Sequence, residues 1–217
     1  GNPYITGEVP GLIRNDAGTL IISGLLIMIL LLFLNIRSIK AVAMVLAIII
    51  LSIISMNGFM GWMFYFSGEN SIFTFTMIGT PMPIVLLTIA NSDAVHIITH
   101  FFKELRQTKD KKISIRNAMK ALKTPIFLTS ITTIFAFLAM IFSPIPNMMG
   151  FGICISFGIF WAWFLSNTFL PALIVKTNWK LNSRAVIRES FLERIVKKMG
   201  RIIFTWPKSV LALGLSL

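Results

Sequence analysis

Apolar positions run along this chain in long unbroken blocks. Ala17 to Ile36 is uncharged for 20 residues, Ala41 to Gly68 for 28, and Asn70 to Phe102 holds a single charge, Asp93, in 33. Thr124 to Val175 is uncharged for 52 residues. A helix that crosses a bilayer needs about 20 apolar residues, because the hydrocarbon core is about 30 Å thick and each helical residue rises about 1.5 Å. The first three blocks each fit one span. The fourth is too long for one, and Ser143-Pro-Ile-Pro-Asn147 divides it, since two prolines withdraw backbone donors. The pattern predicts spans near 18–36, 41–66, 71–102, 124–142 and 149–175. Ser209 to Leu217 is apolar for nine residues and reads as the start of a further helix from about residue 207. The expected fold is an all-α integral membrane protein with five complete transmembrane helices and the beginning of a sixth.

Composition agrees. Of 217 residues, 56% are hydrophobic and 13% charged, against roughly 45–50% and about 25% in soluble domains. Charge adds the orientation. The segments 37–40, 103–123 and 176–208 carry 19 of the 20 Lys and Arg residues, while the alternate connectors hold Arg14 with Glu8, Asp16 and Glu69. The positive-inside rule places the basic segments in the cytoplasm, and five spans then alternate without conflict. Trp179 and Trp206 flank the basic linker 176–206 and are expected as interface anchors. The net charge of +12 is confined to these connectors, so it marks loops and not a nucleic-acid surface. Cys154, inside an apolar block, has no second cysteine to pair with.

Residues 1–17 are polar and rich in Pro and Gly, with no basic stretch before an apolar one, and they do not read as a signal peptide. They are expected to close a larger outside domain, with the chain a piece of a longer protein. Within 103–123, Ile115, Ala118, Met119 and Leu122 recur at helical spacing. This predicts a short amphipathic helix lying on the inner leaflet.

Asp93 carries the candidate chemistry. Ten residues separate it from Lys103, which at about 1.5 Å each puts it about 15 Å deep, near the bilayer midplane. A carboxylate there costs roughly 2.5–3.5 kcal/mol on insertion scales, so an acid at this depth points to function. His96 and His100 follow at i+3 and i+7, within roughly 60° of the same helix face. Asp93 with His96 suits a proton relay, because both can titrate. His100 is close to Lys103 and is expected at the interface. A metal site is not expected, because no further acid or cysteine is near in sequence to complete one. Thr129, Ser130, Thr132 and Thr133 form a hydroxyl cluster in the next span, able to bind helices together or to pass protons to a buried acid, with Ser130 and Thr133 as candidate relay neighbours. Gly79, Pro81 and Pro83 are expected to bend the Asp93 helix in its outer half. Gly58 with Gly61, and Gly152 with Ser156, are expected at close helix contacts.

With these residues in view the chain resembles the resistance-nodulation-division superfamily of proton-driven exporters. The nearest branch is that of the large mycobacterial-type membrane proteins and the hopanoid or lipid exporters. The resemblance rests on Ala90-Asn-Ser-Asp-Ala-Val-His96, Phe102-Lys-Glu-Leu105 and Pro125-Ile-Phe-Leu-Thr-Ser-Ile-Thr-Thr133, then on Ser143-Pro-Ile-Pro146, Phe151-Gly152 and Leu170-Pro-Ala-Leu173. It implies helices two to six of a twelve-helix protein, a half-bundle shared with sterol-sensing domains, in the inner membrane of a bacterium. It also implies a relay acid at Asp93. Two positions depart from the family pattern: Asn91 and Ala136 stand where glycine is often found. The implied function is export of hydrophobic or amphiphilic, lipid-like molecules driven by the proton-motive force. The implied partners are the lipid bilayer, protons, the substrate and the second half of the same polypeptide, with a homo-oligomer left open. No cofactor is expected, and no enzyme, since the chain carries no nucleophile elbow, phosphate loop or His-Glu-x-x-His. The rivals are a non-transporting lipid-sensing or scaffold module and a membrane component of protein export.

Overall fold

A computed structural model describes residues 2–68, 72–73 and 79–179, with side chains at residue 16 and from residue 18 onward. The helices are α1 (Asn2–Ile36), α2 (Ile39–Ser67), α3 (Met82–Thr108), α4 (Lys111–Leu138) and α5 (Pro146–Lys176), with a 3-10 turn, Ala139–Phe142, closing α4. Five stretches are long and apolar enough to cross a membrane: Gly18–Ile36, Ile39–Ser67, Met82–Thr108, Lys111–Phe142 and Pro146–Lys176. The chain is an all-α membrane protein.

Each turn is built by local chemistry. Arg37 takes a left-handed conformation (φ 54°) between α1 and α2, and Ser38 caps α2, its Oγ accepting from Ala41 N at 3.5 Å. Lys109 is also left-handed (φ 55°), and its N–H closes α3 on the Leu105 carbonyl. Asp110 caps α4, with Oδ1 accepting from Lys112 N at 2.7 Å and Ile113 N at 3.1 Å. An aspartate at this position satisfies amides that have no partner inside the helix.

These caps change the expected connectors. The amphipathic stretch is helical, but it is no separate surface helix: it forms the first turns of α4 and continues through Pro125. Ile115 and Ala118 are buried, and Met119 and Leu122 pack on the core. Gly79 and Pro81 precede α3 and so do not bend it. Pro81 caps the helix and Pro83 lies in its first turn, where a missing N–H costs no hydrogen bond.

Helices α3 and α5 lie at the centre. α5 packs on α2, α3 and α4, while α3 touches all four others. The core between them is Ile48, Met56, Leu86, Ile97, Ile155 and Ile159. Helices α1 and α4 lie outside, and α1 exposes Leu20, Leu26, Leu30 and Leu34. Exposed apolar surface of this extent belongs against lipid.

The close contacts fall where small residues stand on α5. A Cβ on Gly152 would meet the Phe137 carbonyl, and Ser156 donates to the Ile134 carbonyl at 3.1 Å, joining α5 to α4. Gly58 and Gly61 differ from the expectation. Both are exposed, and among the described residues nothing lies within 4 Å of a Cβ at either. Trp179 is likewise more than an interface anchor. Its ring packs on Phe101 and Phe102, and its Nε1 donates to the Ile174 carbonyl at 2.9 Å. Lys40 and Lys111 donate to the Asn178 and Thr177 carbonyls at 3.3 and 3.4 Å, so the chain leaving α5 is tied to α2 and α4. Trp206, the rest of the 176–206 linker and 207–217 lie outside the described residues.

Candidate functional site

Asp93 stands near the middle of α3, and its side chain turns toward α4. Ser130 Oγ donates to Asp93 Oδ2 at 3.1 Å. Ser130 is buried, with 6% of its surface exposed. Both residues face a cleft of about 410 Å³ between α3 and α4. α3 contributes Ile89, Ser92, Asp93 and His96, spaced at helical intervals. From α4 come Pro125, Ile126, Thr129, Ser130 and Thr133, again one face. Among the described residues no Lys or Arg lines the cleft. The carboxyl is therefore met by the Ser130 hydroxyl, and His96 shares the cleft wall with it.

All four sequence candidates, Asp93, His96, Ser130 and Thr133, line this one cleft, but their partners differ. Thr133 Oγ1 donates to the Thr129 carbonyl at 2.7 Å, and Thr129 Oγ1 to the Ile126 carbonyl at 3.0 Å. Both hydroxyls thus serve their own helix, and Ser130 alone among the described residues reaches across to Asp93 by a hydrogen bond. Thr132 is exposed, bonds the Leu128 carbonyl at 2.9 Å and does not line the cleft. His96 is exposed at the rim. His100, one turn further along α3, does not line the cleft, and its Nδ1 is enclosed without a hydrogen-bond partner among the described residues.

The sequence reading passes over Ser92, which shares the cleft wall with Asp93. The helical spacing of Ile89, Ser92, Asp93 and His96 could have found it.

The inner ends of α3 and α4 are held together independently of this cleft. Asn117 Nδ2 donates to Glu104 Oε2 at 3.0 Å, and the Thr108 and Ser114 hydroxyls are 2.6 Å apart. The cleft is therefore anchored at the end where α3 and α4 join. A model of the MMPL family matches residues 1–210. The chain belongs to the MMPL family. These are transport proteins of the resistance-nodulation-division class, so membership makes this multi-pass protein an RND-type membrane transporter. No curated protein gives a significant match.

Proposed function

We propose that this MMPL chain moves protons through Asp93 and uses them to export hydrophobic or amphiphilic, lipid-like molecules across a bacterial inner membrane. The observation that carries the reading is the Ser130–Asp93 hydrogen bond in a cleft that no Lys or Arg lines among the described residues. An ionised carboxyl without a fixed counter-ion is costly at this depth, and a proton removes the cost. When Asp93 is ionised, Ser130 donates to it; when Asp93 is protonated, its own O–H can donate to a neighbouring oxygen. The proton therefore changes the polarity of the α3–α4 contact, which can bias two packings of the helices. His96 at the rim assists exchange with the outside of the cleft, and Thr133 supplies a second hydroxyl. A proton falling through about 100 mV releases roughly 2.3 kcal/mol, enough for more than a tenfold gradient. A second half of the polypeptide, or another copy of the chain, would cover the open side of the cleft.

The test is export of a fluorescent long-chain lipid by the intact protein, at equal membrane abundance, with an imposed proton gradient. Asp93→Asn keeps the size and removes the titration. It should insert normally and lose export, and His96→Ala should weaken export without abolishing it. Parental export by Asp93→Asn would make the acid structural and put the lipid-sensing or scaffold reading first.

A further inference from the structure

Helix α4 is held to its neighbours in two different ways, and the change falls at Pro125. Before the proline, the stretch 111–124 is fastened to α3 by the Asn117–Glu104 hydrogen bond and the Thr108–Ser114 hydroxyl pair. After it, the stretch 126–138 is fastened to α5. Phe127 packs on Trp163 with ring centroids 5.7 Å apart, Ser156 donates to the Ile134 carbonyl at 3.1 Å, and Gly152 lies against the Phe137 carbonyl. Toward α3 this second stretch is met by the Ser130–Asp93 hydrogen bond. Beyond Pro125 only Ile126 and Ser130 of α4 are buried. Where α5 itself meets α3, at Gly158, the neighbours are the Leu86 methyls, which are free to turn.

The helix between the two stretches is weak. Pro125 has no N–H for the Ala121 carbonyl four residues back, and its ring crowds that carbonyl. Bends in helices concentrate at such points. The next turns add to the weakness. Thr129 Oγ1 donates to the Pro125 and Ile126 carbonyls at 3.2 and 3.0 Å, and Thr133 Oγ1 to the Thr129 carbonyl at 2.7 Å. Hydroxyls that bond back to their own helix loosen and bend it.

The Asp93 cleft straddles this point. Leu122 lines it before the proline, and Thr129, Ser130 and Thr133 line it after. We infer that Pro125 is a hinge: the second stretch of α4 swings with α5 against α3 while the first stays fixed, and the swing opens and closes the Asp93 cleft. The Ser130–Asp93 bond holds the closed form. Backbone contact makes the second stretch follow α5, and side-chain contact lets both slide on α3, as packed helices do in shear motions. The hinge does not depend on the proposed proton path, and its test reads distances and not export.

Pairs of spin labels on the intact protein in phosphatidylcholine vesicles read the two stretches separately. Thr88→Cys with Phe135→Cys spans α3 and the second stretch, and Lys103→Cys with Lys120→Cys spans α3 and the first. All four positions are exposed, and Cys154 is buried and stays unlabelled. About 15 Å of helix separates Pro125 from Phe135, so a bend of about 20° moves that label by about 5 Å. The distance distribution of the first pair should therefore be broader than that of the second by about 5 Å. Pro125→Ala, which returns an N–H to the Ala121 carbonyl, should narrow it to the width of the second pair. Ser130→Ala, which removes the tie to Asp93, should broaden it further. The second pair should stay unchanged in both variants. Equal widths in the parent, a first-pair width that Pro125→Ala leaves unchanged, or a shift of the same sign in both variants would each overturn the hinge.

Discussion

Ser130 is the residue on which the α3–α4 relationship turns. It is buried, it comes from the neighbouring helix, and it donates to Asp93 at 3.1 Å. A hydrogen bond to a charged group contributes about 1.5–3 kcal/mol. Ser130→Ala should therefore lower proton-driven export about tenfold or more, while Ser130→Thr, which keeps the hydroxyl, should recover most of it. Equal rates for Ser130→Ala and the parent would remove Ser130 from the relay. At this scale the sequence is legible where one helix decides. Asp93 and His96 share a face by spacing alone. Which of Thr129, Ser130, Thr132 and Thr133 reaches the acid depends on how α4 is rotated against α3. No spacing within α4 carries that information. Asn91 is similar: as a sequence position it is a departure from a family glycine, and only the folded chain shows its Oδ1 enclosed without a hydrogen-bond partner among the described residues.

Helices in this protein owe their length to apolar composition and their ends to capping. The sequence shows the first directly, because an apolar block has a countable length. The ends are less visible, since the basic stretch after Phe102 is polar enough to look like a loop yet capped tightly enough to be helix on both sides of Lys109 and Asp110. The Asp110 cap makes a pH prediction. The backbone N–H groups of Ile113 and Lys112 hold its carboxyl below the ordinary value of 3.8. A group depressed in the folded state stabilises above its unfolded value and stops doing so as pH falls through the folded one. Asp110→Ala should thus lower the thermal midpoint in detergent at neutral pH, and the gap to the parent should close as pH falls below 3.8. A gap that persists in acid would mean the side chain stabilises by some route other than its charge. Glycines on α5 give a paired prediction. Gly152→Ala drives a Cβ into the Phe137 carbonyl and against Met140 Cβ at 2.8 Å. Backbone has little room to yield, so a loss of about 1–3 kcal/mol in unfolding stability is expected. At Gly158 the same atom meets Leu86 methyls at 2.9 and 3.1 Å and Met56 Sδ at 3.2 Å, flexible ends that can turn aside. Gly158→Ala should therefore unfold nearer to the parent, and the reverse order would show the α4–α5 contact to be looser than described.

Over the whole molecule, two kinds of surface have to be matched to their surroundings. The sides of α1 and α4 are apolar and exposed, as a lipid-facing surface must be. The ends differ in charge: α3 and α4 meet at Lys109, Asp110 and Lys111, while α4 and α5 meet across the uncharged Ser143–Asn147 stretch. With 19 of the 20 basic residues in the segments 37–40, 103–123 and 176–208, the positive-inside rule predicts the α3–α4 turn in the cytoplasm and the α4–α5 turn outside. The proton path proposed at Asp93 would take its direction from this orientation, so the orientation needs its own measurement. Cys154, the one cysteine of the sequence, is fully buried at 0% exposure and should be silent to a membrane-impermeant maleimide. Phe142, 89% exposed beside the α4–α5 turn, and Lys109, exposed at the α3–α4 turn, are suitable reporter sites. In intact cells Phe142→Cys should label from outside, and Lys109→Cys should label only after the membrane is opened. The opposite pattern would put the α3–α4 turn outside and the α4–α5 turn inside, and would overturn the expected orientation of α3, α4 and α5.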